Sequence, residues 1–246
     1  MDKKDSFTVG RREVGSKKII MANISVTLLC NRKCSYCFAE SIRKKKISQE
    51  QFMSRKTFLM SLDFLKRSAI KLVKLLGGEP SLHPDLTWFI EKSLEENFKV
   101  IIFSNGLIEK KLLSYLKTLT AEELTVIVNI NSPEEQQVEE EEKQIQTFKE
   151  LSEKITPCFN IHNPLRRPSF IIDLIEEYNL GRNIRLGLAH PCLDHENTYI
   201  HPKHYEKAGS SVADFFEECM EHRIVLNFDC GFVPCMFPEG FIETVH

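Results

Sequence analysis

Three cysteines fall within eight positions: Cys30-Asn-Arg-Lys-Cys34-Ser-Tyr-Cys37, a C-x3-C-x2-C run. Thiolates are the usual protein ligands of iron–sulfur clusters, and three on one short loop suit a cubane of four irons held at three corners. The fourth iron then stays open to a ligand, as the free position of a catalytic zinc does. A structural zinc site instead closes a tetrahedron with four protein ligands, usually as spaced cysteine pairs, and no matching pair lies nearby. The ferredoxin run C-x2-C-x2-C-x3-C-P is absent as well. Three close cysteines without a local fourth favour the open cluster.

Five more cysteines, Cys158, Cys192, Cys219, Cys230 and Cys235, thicken toward the C-terminus of the 246-residue chain. A disulfide framework belongs to short secreted scaffolds that lack a core, and this chain is long enough to build one. Its 42% hydrophobic and 28% charged residues are ordinary for a globular protein, and a formal charge of −2 gives no reason to expect nucleic acid or an acidic membrane as partner. No apolar run reaches the roughly 18 residues a membrane helix needs, and Met1–Lys18 lacks the apolar stretch of a signal peptide. These features predict a cytoplasmic protein.

The elements that must position the thiols alternate. Asn23–Leu29, Lys71–Leu76, Lys99–Phe103, Leu124–Ile130, Ile155–Ile161 and Ile184–Leu188 read as six strands. Ser54–Ala69, Pro84–Asn97, Leu107–Leu119, Glu134–Lys154 and Pro168–Tyr178 read as the helices between them. Near-continuous apolar strands suggest a parallel sheet buried on both faces. The order fits an open doubly wound sheet or a partial (β/α)6 barrel, and periodicity does not choose. Beyond residue 190 the alternation weakens: His201–His222 reads as one long or broken helix and Ile224–Phe228 as a short strand. The charge runs Glu139–Glu142 and Arg43–Lys46 read as a solvated helix face and an exposed loop.

At the cysteine run the chain resembles the radical S-adenosylmethionine (SAM) superfamily, whose signature is C-x3-C-x-Φ-C with Φ aromatic; Tyr36 fills that position. Leu76-Gly77-Gly78-Glu79-Pro80 after the second strand is similar to the GGEP motif. Phe103-Ser104-Asn105-Gly106 after the third resembles the SNG-like segment. Three motifs after three successive strands carry the resemblance over residues 20 to about 190. It implies a partial (β/α)6 TIM-like barrel with the site at the strand C-termini, where barrel enzymes carry their chemistry. It further implies that Cys30, Cys34 and Cys37 hold a 4Fe–4S cluster whose open iron is chelated by SAM, with Tyr36 near the adenine. Gly77 and Gly78 would let backbone approach the ligand, Glu79 would accept from the amine of SAM, and Pro80 completes the motif. Ser104 and Asn105 would reach its ribose or carboxylate, with Asn129 and Asn131 as weaker candidates. The implied reaction is reductive cleavage of SAM to a 5′-deoxyadenosyl radical that abstracts hydrogen from a substrate, with flavodoxin or ferredoxin as reductant.

This divides the chain into an N-terminal segment (1–20), a core barrel (21–200) and a short C-terminal extension (201–246). Cys219, Gly231 and Cys235 resemble the opening of the SPASM extension, one residue short after the glycine, so Cys219, Cys230 and Cys235 are candidates for an auxiliary cluster. The further cysteines that extension needs are missing: either the chain is a fragment of a longer protein, or these cysteines do something else. The bland reading of Cys219 is a buried helix residue, and that of Cys158 is packing in the fifth strand. Cys192, in His190-Pro191-Cys192 after the sixth strand, is a candidate hydrogen-atom donor, against the plainer reading of a half-buried loop cysteine. A ribosomally made peptide is the first expected substrate and a small molecule or nucleotide the second. A non-catalytic zinc or Fe–S scaffold is the reading from another class.

Overall fold

The computed structural model of the protein describes residues 13–14, 17–18, 21–40, 51–192, 195–229 and 231–241. Outside the main sheet, the two-residue strands Glu13–Val14 and Lys17–Lys18 pair antiparallel. The main sheet has seven strands, all parallel: β1 (Met21–Thr27), β2 (Leu72–Gly77), β3 (Lys99–Ser104), β4 (Leu124–Asn129), β5 (Ile155–Ile161), β6 (Asn183–Leu188) and β7 (Val225–Phe228). Helices α1 (Arg55–Arg67), α2 (Leu86–Glu95), α3 (Lys110–Thr118), α4 (Val138–Leu151), α5 (Phe170–Tyr178) and α6 (Tyr205–Glu221) fill the six connections.

Each strand neighbours only those before and after it in the chain. A doubly wound sheet reverses its strand order at a switch point; this one never does, so it curls in one direction as part of a barrel. The barrel is not closed. Among the described residues β1 and β7 are the two ends of the sheet. Gln51–Met53 lies along the outer edge of β1, where the Leu28 N–H donates to the Gln51 carbonyl at 3.0 Å and the Met53 N–H to the Val26 carbonyl at 2.8 Å.

The strands are apolar along one face and mixed on the other, where Ile101, Phe103, Ile127 and Cys158 alternate with polar residues. Ile24 and Val26, Val73 and Leu75, Val100 and Ile102, and Val126 and Val128 are buried against the helices. Successive side chains point to opposite faces, so Asn23, Ser25, Lys74, Thr125, Asn129, Asn160 and Arg185 share the concave face, all half-buried or exposed. The expectation of strands buried on both sides therefore holds in part: Ile127, Thr156 and Cys158 are buried on the concave face as well, while the polar positions stay half-buried or exposed. The helices meet the sheet through stripes such as Phe58, Leu62 and Leu65 on α1 and Leu113 and Leu116 on α3. Helix α1 opens where Ser54 accepts from the Thr57 N–H at 3.1 Å, an N-cap that satisfies one of the helix's unpaired donors.

Two boundaries differ from expectation. The acidic segment begins as a short 3-10 turn, Pro133–Glu135, and α4 proper starts at Val138. The residues read as a short strand after a sixth and last one form β7, which pairs with β6 in parallel, so the sheet has seven strands and not six.

Candidate active site

The cysteine loop leaves the C-terminal end of β1 and is clamped to β2. The Gly78 N–H donates to the Thr27 carbonyl at 2.9 Å and the Glu79 N–H to the Leu29 carbonyl at 2.6 Å. A Cβ on Gly77 would stand 2.2 Å from the Thr27 oxygen, and one on Gly78 2.0 Å from the Leu29 oxygen. The space the glycine pair keeps open is thus filled by the root of the cysteine loop. Close approach of backbone is the reason for these glycines, as expected, but the chain they admit is the protein's own.

Glu79 is fully buried. Its Oε1 accepts from the Ser81 N–H at 3.0 Å and the Ser104 hydroxyl at 2.9 Å, and its Oε2 from the Asn105 N–H at 2.7 Å. Burial pushes the carboxyl above its ordinary range, while the Asn105 and Ser81 N–H groups and the Ser104 hydroxyl pull it back. Two carboxylate oxygens offer about four acceptor directions, so these three donors leave one on Oε2. Pro80 begins the 3-10 turn that carries Ser81.

Glu79 holds the Ser104–Gly106 turn, and the turn reaches back to the loop. Asn105 donates from Nδ2 to Asn31 Oδ1 at 2.7 Å, and its own Oδ1 accepts from the Leu107 N–H at 2.9 Å. Gln144 on α4 donates from Nε2 to the Asn105 carbonyl at 2.7 Å. Gly106 has φ of +79°, which a glycine adopts without penalty, and a Cβ there would meet Val128 at 2.8 Å.

Across the loop, Tyr36 is buried and its ring stacks on His162, centroids 4.8 Å apart. Its hydroxyl donates to Asn131 Oδ1 at 2.5 Å and accepts from Asn129 Nδ2 at 2.7 Å. Asn160 donates from Nδ2 to Asn129 Oδ1 at 2.6 Å. Asn131 Nδ2 faces the Cys34 sulfur at 3.9 Å. Burial, then the charge of Cys34, holds the Tyr36 phenol well above its ordinary pKa, so the residue stays a neutral donor.

Arg32, between the first two cysteines, turns inward and is 3% exposed. Its Nε donates to Glu140 Oε2 at 3.1 Å and its Nη1 to the Asn129 carbonyl at 3.3 Å, while Nη2 is buried without a hydrogen-bond partner among the described residues. Glu140 is therefore not one more solvated carboxylate of the acidic run; it is the counter-ion of a buried guanidinium. Burial raises the Cys34 thiol and the Arg32 charge opposes that rise.

The loop after β6 packs on the cysteine loop from the other side. The Thr198 N–H donates to the Ser35 carbonyl at 3.0 Å, Asn197 Nδ2 to the Tyr36 carbonyl at 3.3 Å, and the Cys192 sulfur lies 4.0 Å from the Cys37 carbonyl. Cys192 is thus brought to the site. Cys158 is buried on β5 beside Arg185. Cys219 is sealed in the core face of α6, where burial pushes its thiol up to about 12, the position of a packing residue. Cys235 is exposed in the 3-10 turn Pro234–Met236, and Cys230 and the Arg43–Lys46 run lie outside the described residues.

Among the described residues no three His, Cys, Asp or Glu side chains converge as the ligands of one metal ion. A cubane spreads its thiolates over separate irons, so its ligands stand farther apart than those of a single ion. Cys30, Cys34 and Cys37 are partly exposed on one loop at the strand C-termini. With an unpaired buried guanidinium donor beside Cys34, they form a donor set that fits an anionic thiolate-ligated cluster.

A one-way parallel half-barrel with a three-thiol loop at its C-terminal rim defines a class of β/α enzymes whose site lies at the strand ends. Residues 24–165, more than half the chain, match the Radical SAM superfamily. The chain belongs to that superfamily and is an enzyme of its class, which implies a 4Fe–4S cluster and SAM. It is 33% identical over 92 residues to an S-adenosylmethionine-dependent nucleotide dehydratase of Thermoplasmatales archaeon (strain ISO4-H5), covering 37% of this chain and 30% of that protein. It is 27% identical over 124 residues to the GTP 3′,8-cyclase of Aquifex aeolicus, covering 50% and 39%. The crystal structure of Streptococcus suis SuiB bound to S-adenosylmethionine superposes with a TM-score of 0.66 at 18% identity, over 86% of this chain and 50% of SuiB. SuiB bound to its precursor peptide SuiA gives 0.61 at 16%, over 85% and 48%. The chain therefore spans 30% to 50% of the length of these proteins. No helix among the described residues is long and apolar enough to cross a membrane.

The sequence reading missed Asn31, Arg32, Gln144, Asn160, His162 and Asn197. For two of them a signal existed. Asn160-Ile161-His162 ends β5 as Asn129-Ile130-Asn131 ends β4, with polar side chains two apart on the inner face of a strand end.

Proposed function

We propose that Cys30, Cys34 and Cys37 hold the cluster, and that the pocket between the Gly78–Glu79 clamp, the Asn105 turn and the Tyr36–Asn131 pair receives SAM. When bound, these groups supply one-electron reductive cleavage of the sulfonium and, from it, a hydrogen-abstracting 5′-deoxyadenosyl radical. The protein's part is positioning. Glu79 keeps one acceptor direction for the SAM ammonium, and Ser104 and Asn105 are held beside it. Tyr36, fixed by Asn129 and Asn131, offers a ring face toward the adenine. Cys192, packed on the cysteine loop, is assigned as a hydrogen-atom donor to the substrate radical, and the thiyl radical it leaves would take back an electron from the reductant and a proton from solvent. The reductant is a flavodoxin or ferredoxin type carrier.

The observation that carries this reading is the clamp: the thiol loop is hydrogen-bonded through Leu29 to Glu79, and through Asn31 to Asn105. Three separate sequence motifs thereby become one hydrogen-bonded unit. Anaerobic reconstitution with iron and sulfide, followed by reduction in the presence of SAM, tests it by the release of 5′-deoxyadenosine. A wild-type protein that took up no cluster iron would sink the reading.

Of the two substrate classes, the concave face favours a small polar molecule of the nucleotide kind over a peptide. That face is lined by Lys74, Asn129, Asn160 and Arg185, and the relatives matched by sequence include enzymes named for nucleotides. Cys219, one of the residues expected to hold an auxiliary cluster, is buried in the core, which favours a packing role over ligation. Incubation with a panel of nucleoside triphosphates, read as substrate-stimulated 5′-deoxyadenosine release, separates the two.

A further inference from the structure

Arginine is almost never fully buried unless it is paired, and Arg32 is buried inside the cysteine loop with its pairing incomplete. Nε meets Glu140 Oε2 at 3.1 Å and Nη1 meets the Asn129 carbonyl at 3.3 Å, while Nη2 is buried with no partner among the described residues. The guanidinium fork carries more donors than these two bonds use. A side chain that only braced the loop would have its buried donors satisfied, since an unmet donor costs free energy. Nor does the Asn129 carbonyl depend on Arg32, because Gln144 Nε2 donates to the same oxygen at 3.3 Å. Bracing alone leaves this guanidinium unexplained.

Its placement ties it to the thiols. Arg32 and Cys34 both rest on the end of β4: Arg32 reaches the Asn129 carbonyl, and Asn131 Nδ2 faces the Cys34 sulfur at 3.9 Å. The charge of Arg32 is felt at that sulfur, where it opposes the upward push that burial gives the thiol. Glu140 stands in the first turn of α4, where a helix N-terminus favours a carboxylate. One turn on, Gln144 fixes the same helix to the Asn105 and Asn129 carbonyls. The side chains are 2% exposed for Arg32 and 21% for Glu140. The pair is thus a cation sealed beside the thiol loop and an anion partly in solvent, each held by a fixed element.

We infer that Arg32 and Glu140 together set the reduction potential of the cluster, the guanidinium raising it and the carboxylate holding that rise in check. The inference rests on the reading that Cys30, Cys34 and Cys37 hold the cluster. Reduction adds one negative charge there, so a cation fixed beside Cys34 favours the reduced state. Burial keeps that attraction from being screened as it would be at the surface. Net charge and hydrogen bonds at the sulfurs are levers by which a protein tunes such clusters. Arg32 is thus a positioning residue, acting on the cluster through its charge and not as a ligand.

The test is a redox titration of the reconstituted protein without SAM, poised with titanium(III) citrate and read by the electron paramagnetic resonance of the reduced cluster. At the potential where wild type is half reduced, Arg32→Met should show about one-tenth the ratio of reduced to oxidised cluster, a shift of about 59 mV to lower potential for one electron. Glu140→Gln keeps an acceptor for Nε and should raise the ratio by about threefold, less because the carboxylate is partly solvated. Arg32→Lys, which keeps the charge, should stay nearer to wild type than Arg32→Met. The ratio is read on bound cluster alone, so partial loading does not obscure it. Should Arg32→Met load no cluster, the sign of the Glu140→Gln shift decides. A ratio within about twofold of wild type in either Arg32→Met or Glu140→Gln, a lower ratio in Glu140→Gln, or an Arg32→Lys value no nearer to wild type than Arg32→Met would each overturn the inference. A bracing role alone would reduce iron content and leave the potential of the bound cluster in place. Unmoved potentials in a loaded protein sink this inference and leave the cluster reading standing, while wild type that took up no iron sinks the cluster reading itself.

Discussion

Gly78→Ala isolates the clamp between the cysteine loop and β2. Gly78 is not among the residues with positive φ, so its backbone suits alanine and the only obstacle is steric. The new Cβ would stand 2.0 Å from the Leu29 oxygen and 2.5 Å from its carbonyl carbon. Real Cβ contacts essentially never fall below 3.0 Å, so Leu29 must retreat by at least a further 1 Å. It cannot do so and keep accepting from the Glu79 N–H at 2.6 Å, and the Gly78 bond to Thr27 at 2.9 Å is strained with it. Losing one or two such bonds, each worth about 1 kcal/mol net and more where a group is left unpaired, predicts a cost of roughly 2–4 kcal/mol. Cys30 follows Leu29 in the chain, so the first thiol moves with it. The assay is iron per chain after anaerobic reconstitution, with thermal unfolding in parallel. Gly240→Ala is the control: a Cβ there meets nothing within 4 Å and only the φ of +81° opposes it, a cost of about 1 kcal/mol. If Gly78→Ala kept full iron and unfolded within about 0.5 kcal/mol of wild type, the clamp would not be what seats the loop.

Cys30→Ala, Cys34→Ala and Cys37→Ala should each lose the cluster's visible absorbance and release no 5′-deoxyadenosine; retention of both in all three would refute the assignment. Tyr36→Phe keeps the ring on His162 but removes both hydroxyl bonds, leaving Asn129 Nδ2 and Asn131 Oδ1 their mutual 3.3 Å bond, so it should lower stability by about 1–2 kcal/mol and weaken SAM binding, both readable by calorimetry. With its thiol pushed up to about 12, Cys219 should resist iodoacetamide in the native protein at alkaline pH, where exposed Cys235 reacts; native labelling of Cys219 would contradict its burial. Because the Cys219 pKa is raised from 9.0 to about 12, the folded state holds the proton more tightly, so stability should fall as pH rises through that window, visible as an alkaline loss of Tm that Cys219→Ala reduces.

How much of this was legible in the sequence depends on how local each signal is. Six strands and the three motifs following the first three were readable because apolar periodicity and glycine turns are local patterns. The role of Gly77 and Gly78 was only half readable: that a Cβ is barred follows from residue type, but what bars it, the Thr27 and Leu29 carbonyls, depends on how β1 and β2 are stacked. Arg32 lies inside the cysteine run and Glu140, 108 positions away, inside an acidic run that looks solvated; only the fold brings them together. The charges on the concave face were hidden for another reason. Lys74 and Arg185 interrupt otherwise apolar strands, and a single charge in such a run reads as an edge until the open side of the barrel is seen.

Strict neighbour pairing also sets the order in which the site can come into being. In a closed barrel the first strand waits for the last. Here β1 needs only β2 and the Gln51–Met53 segment, all within the first 77 residues. The glycine clamp and the bonds of Glu79 and Asn105 need nothing beyond β3 and its turn at Gly106, while Arg32 and the Asn105 carbonyl wait for Glu140 and Gln144 on α4, Tyr36 for β4 and β5, and Ser35 for Thr198 after β6. During synthesis the clamp that roots the thiol loop can therefore form before the half that bears Arg185 and Asp229 has left the ribosome, since domains grow from the N-terminus as the chain is made.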